Sequence, residues 1–332
     1  MGVHAVPHRR AAALILCTTL SSAHPARAAW PSDPTRNLPV CTFAGDQELV
    51  QILADGHGGA WIAWGDGRVA FSQADIYVQK VLASGAVDPG WPADGLVMCS
   101  DLRQQLNGVM ASDGSSGFVI AWTDPRTTST NPNIYMHHVL AAGARDPAWQ
   151  STGLGVCTAA GEQFFRLMVP DGAGGILLAR EDDRTAAGDI YAAHVSGSGV
   201  IDPAWPVNGL VVCTAAAAQN VARIVGDGSG GAVIARDDFR NSTTADVYAR
   251  HLLANGSVDA AWPVNGQALC LAAGDQIIGG MLPDGSGGAL LAWQHARART
   301  TARETYATHV LGSGIAVPPP ACERSSGEYR RG

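Results

Sequence analysis

One interval recurs along this chain. Cys41, Cys99, Cys157, Cys213 and Cys270 stand 58, 58, 56 and 57 residues apart, and Asp55, Asp113, Asp171, Asp227 and Asp284, each heading an Asp-Gly pair, step identically. Six residues after each of those cysteines comes a glutamine: Gln47, Gln105, Gln163, Gln219 and Gln276. A unit this short cannot bury its apolar face alone and must stack on its neighbours, so the interval implies one continuous array and leaves no room for separate domains.

Within each unit the pattern reads as four strands. The first begins at the glutamine, as in "QELVQILA", and runs into "DGxGG", or "DGSSG" in the second unit. Asp-Gly supplies the positive φ of a tight hairpin, so the second strand ("GGAWIAW", "GFVIAW", "GGILLAR", "GGAVIAR", "GGALLAW") folds straight back. The second strand is apolar on both faces, as a central strand must be. A polar loop leads to the third ("DIYVQKVL" and its four counterparts), and a second hairpin signal leads to the fourth, which carries a Trp and the Cys.

Four-stranded meanders at this spacing predict an all-β fold, a five-bladed β-propeller of four-stranded blades over residues 29–315 with an irregular tail over 316–332. The first fourth-strand sequence, "WPSDPTRNLPVC", precedes any first strand, and none follows the last third strand. It is therefore expected to pair with the C-terminal blade near His309 and close the ring, which leaves no open seam. A longer array cut short at its C-terminus, or an open fan of blades, is the alternative.

The first 28 residues carry Arg9 and Arg10, an apolar run from Ala11 to about Leu20, and small residues at Ala26 and Ala28, the pattern of a cleaved secretory leader. The apolar run falls short of the ~20 residues that span a bilayer. A secreted, monomeric protein with no membrane span is expected. Removing the leader leaves 19 basic against 29 acidic side chains, a net charge of −10. That balance repels phosphate backbones and argues against nucleic acid as a partner.

The chain resembles the repeats of secreted and surface bacterial proteins that read roughly "DGAGGAIVAWQD-R…DIYAQRV-ASG…W-ANG", and more distantly the delta-sixty repeats. The likeness rests on "DGAGGILLAREDDR…GDIYAAHVSGSG" at 171–198 and its four sister segments. It implies a propeller-like fold in an extracellular setting and brings no assigned activity.

Recurrence bears on role, because scaffolding needs a side chain in every unit and a catalytic site needs it once. The five registered cysteines are expected as buried free thiols, since equivalent positions on neighbouring blades lie beyond the ~7 Å reach of a disulfide. Cys322 is off register and could pair with one of them. His138, His194, His251 and His309 share one register, but outer strands diverge and cannot converge on one metal, so neither metal nor cofactor is expected. The loops after the second strands hold Asp66 with Arg68, Asp124 with Arg126, Asp182 with Arg184 and Asp238 with Arg240, read as ion pairs that pin the loop. A calcium loop is the rival, though the spacing matches neither the EF-hand nor the "GGxGxDxUx" pattern.

Symmetry breaks at the end of the second strand, which carries Trp64, Trp122 and Trp293 in three units and Arg180 and Arg236 in the other two. Either these residues line a central mouth, aromatic on one side and cationic on the other, or they pack between blades and answer local acids. Asp46, Glu162 and Asp275 precede the glutamines and should rim the same mouth. The candidate ligand site is thus Asp46, Gln47, Gln105, Glu162, Gln163, Gln219, Asp275, Gln276, Trp64, Trp122, Trp293, Arg180 and Arg236.

No nucleophile motif, phosphate loop or cofactor fingerprint appears. The expectation is a non-enzymatic module that binds or scaffolds an extracellular glycan or protein. The alternative is a glycoside-acting enzyme with a carboxylate site at the central mouth, for which Glu48 is the unrepeated acid.

Overall fold

The structure is a computed structural model that describes residues 30, 33, 35–70, 73–100, 103–126, 131–185, 188–241, 244–297 and 303–317. The leader, Cys322 and the tail beyond 317 lie outside them. Among the described residues all regular strands lie in five antiparallel four-stranded sheets that follow one another along the chain. Sheet 1 holds β1 Gln47–Ala54, β2 Ala60–Asp66, β3 Asp75–Val81 and β4 Leu96–Cys99. Sheet 2 holds β5 Leu106–Ser112, β6 Phe118–Asp124, β7 Asn133–Val139 and β8 Leu154–Cys157. Sheet 3 holds β9 Gln163–Pro170, β10 Ile176–Asp182, β11 Asp189–Val195 and β12 Leu210–Cys213. Sheet 4 holds β13 Gln219–Gly226, β14 Ala232–Asp238, β15 Asp246–Leu252 and β16 Gln267–Cys270. Sheet 5 holds β17 Gly274–Pro283, β18 Ala289–Arg297, β19 Arg303–Val310 and β20 Ala316–Val317.

Local rules build each sheet. In the first hairpin Gly56 sits at φ 76°, and the Asp55 carboxylate accepts from the backbone N–H of His57 and Gly59, both at 2.8 Å. The aspartate therefore closes the turn that glycine permits. Side chains along the second strand alternate between its two faces, and both are buried in the middle sheets: Phe118, Val119, Ile120, Ala121 and Trp122 are each at most 1% exposed. Every first strand carries a register shift, a bulge that bends it, as between Glu48 and Gln51 or Val221 and Arg223.

Among the described residues four apolar cores form, one between each pair of consecutive sheets. Trp61 of sheet 1 meets Phe118 of sheet 2 with ring centroids 4.9 Å apart. The Trp of each fourth-strand segment then lies over a glycine in the next sheet's second hairpin, Trp91 over Gly143 and Trp149 over Gly199. No helix among the described residues is long and apolar enough to cross a membrane.

The expected ring closure is not found. Segment 35–46 forms no strand and lies on sheet 1, where Trp30 covers Gly85 and the Thr42 N–H donates to Asp94 at 2.9 Å. β19 pairs with β18 and, at His309 and Val310 alone, with β20. The physical reason stands in the sequence. Pro39 occupies the place that Val97, Gly155, Val211 and Ala268 hold in the other fourth strands, and proline has no N–H to give a ladder. The tail also begins later than expected, because Ala316 and Val317 are still in β20.

Candidate functional site

The first strands start, and the second strands end, at one rim of the array. The backbone N–H groups of Gln105, Gln163, Gln219 and Gln276 donate across to the carbonyls of Ala74, Pro132, Gly188 and Ala245 in the preceding sheet. Their side chains turn inward, at most 1% exposed. The amide of Gln163 donates to Ala159 O at 3.1 Å and to Gly161 O, and that of Gln276 to Ala272 O at 2.7 Å. Gln47 does the same at Gly45 O, 2.8 Å. The glutamine side chains, offered from sequence as part of a ligand site, instead pin their own entry loops, because the side chain folds back over the residues that lead into the strand. Of the acids beside them, Asp46 and Asp275 are exposed, Glu162 is half-buried, and Asp275 accepts the Ala245 N–H at 3.1 Å.

The tryptophans and arginines do not line a mouth. Trp64, Trp122, Trp293, Arg180 and Arg236 are at most 3% exposed. Trp64 Nε1 donates to Asp66 at 2.8 Å and Trp122 Nε1 to Asp124 at 2.9 Å. Arg180 Nε and Arg236 Nε make the same bond, to Asp182 at 3.2 Å and Asp238 at 2.9 Å. Arginine thus replaces tryptophan as the donor to one buried aspartate.

That aspartate anchors a cluster repeated in sheets 1 to 4. Arg126 bonds Asp124 at 2.6 Å, lies 3.6 Å from the Tyr135 ring centre, and donates to Cys99 Sγ at 3.4 Å. Burial pushes the Asp124 carboxyl up, but hydrogen bonds from Arg126 and Trp122 outweigh it and hold the group below the usual carboxylate range. The expected Asp–Arg ion pairs form in all four loops, and they are interior, with the aspartate side chains fully buried and the arginines 14% to 20% exposed. The cysteines therefore sit in a polar network. Cys41, Cys157 and Cys213 are free thiols, whereas Cys270, expected as one, is disulfide-bonded. His138, His194 and His251 each bridge two turns of their own sheet, as His194 does between Asp171 at 2.9 Å and Asp202 at 2.8 Å, while His309 bonds Asp284 at 2.8 Å. Among the described residues no three metal-ligating side chains gather at one point.

A different pair of acids emerges at the rim. Glu181 on β10 and Asp237 on β14 occupy equivalent positions on neighbouring sheets, where the others carry Gly65, Thr123 and Gln294. Asp237 accepts the Ile278 N–H of β17 at 3.0 Å, in the crevice between sheets 4 and 5. Burial raises its pKa from 3.8 to about 6; the Ile278 hydrogen bond and the Arg223 charge lower it less than burial lifts it, and the Glu181 charge adds to the rise. Arg223, on β13 beside it, donates to Gly279 O at 2.5 Å and so ties the same two sheets. In sequence Glu181 and Asp237 read only as local acid beside Arg180 and Arg236. Their signal was there, since they are acids at a position that varies from unit to unit.

No family model matches the chain, and no curated protein is similar to it. Solved structures do resemble it. A polysaccharide lyase, an ulvan lyase, superposes with a TM-score of 0.52 at 10% identity, over 80% of this chain and 65% of that one. The fold is β-propeller-like. This chain thus spans less than two thirds of the lyase's length. A microbial sialidase, at 12% identity, covers 81% of this chain and 57% of its own, with a TM-score of 0.44. An endo-arabinase from Bacteroides thetaiotaomicron, also 12% identical, covers 82% and 96% with a TM-score of 0.37. The expectation of a non-enzymatic binding or scaffolding module is corrected here, because a solved structure that shares this architecture at a TM-score of 0.52 is a polysaccharide lyase. At such identities the likeness places the fold alone.

Proposed function

We propose that this protein is a secreted glycan-cleaving enzyme whose five sheets are blades about one mouth, with Asp237 as its proton-transferring group. The observation that carries the reading is a carboxyl whose pKa lies near 6, beside a second carboxylate, at strand ends where the repeat symmetry is broken. A general acid works best with a pKa near the working pH. Protonated, Asp237 can deliver its proton to the leaving glycosidic oxygen. A second carboxylate then attacks the anomeric carbon or draws a proton from the attacking water, and Glu181 is the nearest candidate on an equivalent strand. Glu48, singled out from sequence, is exposed on β1 and lies away from this crevice.

The test is a panel of labelled polysaccharides incubated with the leaderless protein, with release of reducing ends as readout. Cleavage of at least one is expected, and Asp237→Asn should lower it by about 100-fold or more with an unchanged circular dichroism spectrum. Full activity in that variant, or no cleavage across the panel, overturns the reading.

A further inference from the structure

The two ends of the array carry the two halves of one interface. Sheet 1 presents the face that sheets 2 to 5 bury against their predecessor, and sheet 5 presents the face that sheets 1 to 4 bury against their successor. Ile52 is 72% exposed, whereas its counterparts Met168 and Ile224 are 8% and 7% exposed. Leu290, the counterpart of buried Trp61, is 48% exposed, and Leu282 is 66% exposed. Together with Ala292, Ala307 and Val317 they line an apolar groove of about 580 Å³ along sheet 5. Terminal units of a repeat array ordinarily present a polar outer face. Neither end here does.

The chain itself holds what this groove lacks. Segment 35–46 sits on sheet 1 as each fourth strand sits on the sheet after its own. Trp30 covers Gly85 as Trp91 covers Gly143. Cys41 Sγ lies 3.8 Å from Asp66 as Cys99 Sγ lies 3.6 Å from Asp124. The Thr42 N–H donates to Asp94 at 2.9 Å as that of Thr158 donates to Asn208 at 3.1 Å. Sheet 1 thus holds a segment seated where a preceding sheet's fourth strand would sit. Sheet 5 lacks one: β20 repeats only the hairpin bridge seen at Val81 with Val87, and Thr305 and Ala307 are exposed.

We propose that the array is a ring with a working seam, in which sheet 1 and its segment 35–46 close onto the apolar flank of sheet 5 in a second state of the same chain. Closure brings Ala60 against Leu290, as Phe118 meets Trp61, and the Arg303 carbonyl to the Gln47 N–H. The occupant is the chain's own end, because segment 35–46 on sheet 1 makes the contacts of the fourth strand that sheet 5 lacks. Closure also fixes β17, whose Ile278 N–H holds Asp237.

The test is the double variant Ala60→Cys with Leu290→Cys in the leaderless full chain, oxidised at about 10 µM, with each single variant as control for the native thiols. An internal disulfide at monomer mass is expected. With effective concentrations in the mM range, it should form roughly 100-fold faster than any crosslinked dimer. Two results overturn the proposal: crosslinked dimers as the main product, which assign the groove to a second copy, or no crosslink while both cysteines react freely with a small thiol reagent.

Discussion

At the scale of single residues, the exchange of tryptophan for arginine shows what the repeat conserves physically: an N–H aimed at a buried aspartate. Trp64 and Arg180 are unlike in charge, yet each donates to the aspartate two residues on. Arg180→Trp should therefore cost less than about 1.5 kcal/mol, as a swap that keeps shape and hydrogen bond. Asp182→Ala strands Arg180 and Arg184 without their counter-charge and should cost about 3–5 kcal/mol. Urea midpoints decide the matter, and equal losses would remove the argument for interchangeable donors. Asp237 gives the opposite case. Its folded pKa is about 6, above the ordinary 3.8, so the folded state binds the extra proton between those values. Its contribution to stability then falls as pH rises from about 4 to 6 and stays unfavourable above. Asp237→Asn should stabilise the fold by about 2 kcal/mol at pH 7 and hardly at all at pH 4, read from unfolding curves at both. The position of Asp237 was legible in sequence, and its environment was not, because β17 of the next sheet makes the crevice that desolvates it.

At the scale of elements, turns were the most legible feature, since their chemistry is local. Gly143 lies at φ 82°, and a Cβ there would come 2.6 Å from the Trp91 indole. Gly114 has φ 76° with nothing within 4 Å. Gly114→Ala should cost the left-handed penalty alone, about 1–2 kcal/mol. Gly143→Ala adds an overpacked contact between sheets and should cost about 2–5 kcal/mol in all. The difference, measured by thermal unfolding, isolates what the tryptophan clasp demands of its glycine, and equal losses would show that the indole moves aside freely. Strand order within each sheet followed from the same local signals. The partner of the N-terminal segment did not, because Pro39 passes as a strand residue in a pattern of apolar spacing and fails only when its missing N–H is counted. The bond at Cys270 was not legible for a related reason: repeat register says where a cysteine lies in its own unit and nothing of what it pairs with.

At the scale of the whole molecule, stability is a sum of sheets and the cores between them, and the ends share fewer. Sheets 2, 3 and 4 each contribute to two apolar cores, while sheets 1 and 5 contribute to one. Local opening should therefore cost least at the ends and most in the middle. Native-state hydrogen exchange is expected to show β1 and β19 exchanging fastest and β10 and β14 slowest, although all four carry backbone ladders. The seam makes the expectation sharper, since a chain held permanently closed would have a fifth core and would protect its five second strands alike. In an open array β2 and β18 lag behind β10. In one that closes part of the time their exchange slows as the closed fraction grows, and covalent closure between positions 60 and 290 should bring them level with the middle of the ring.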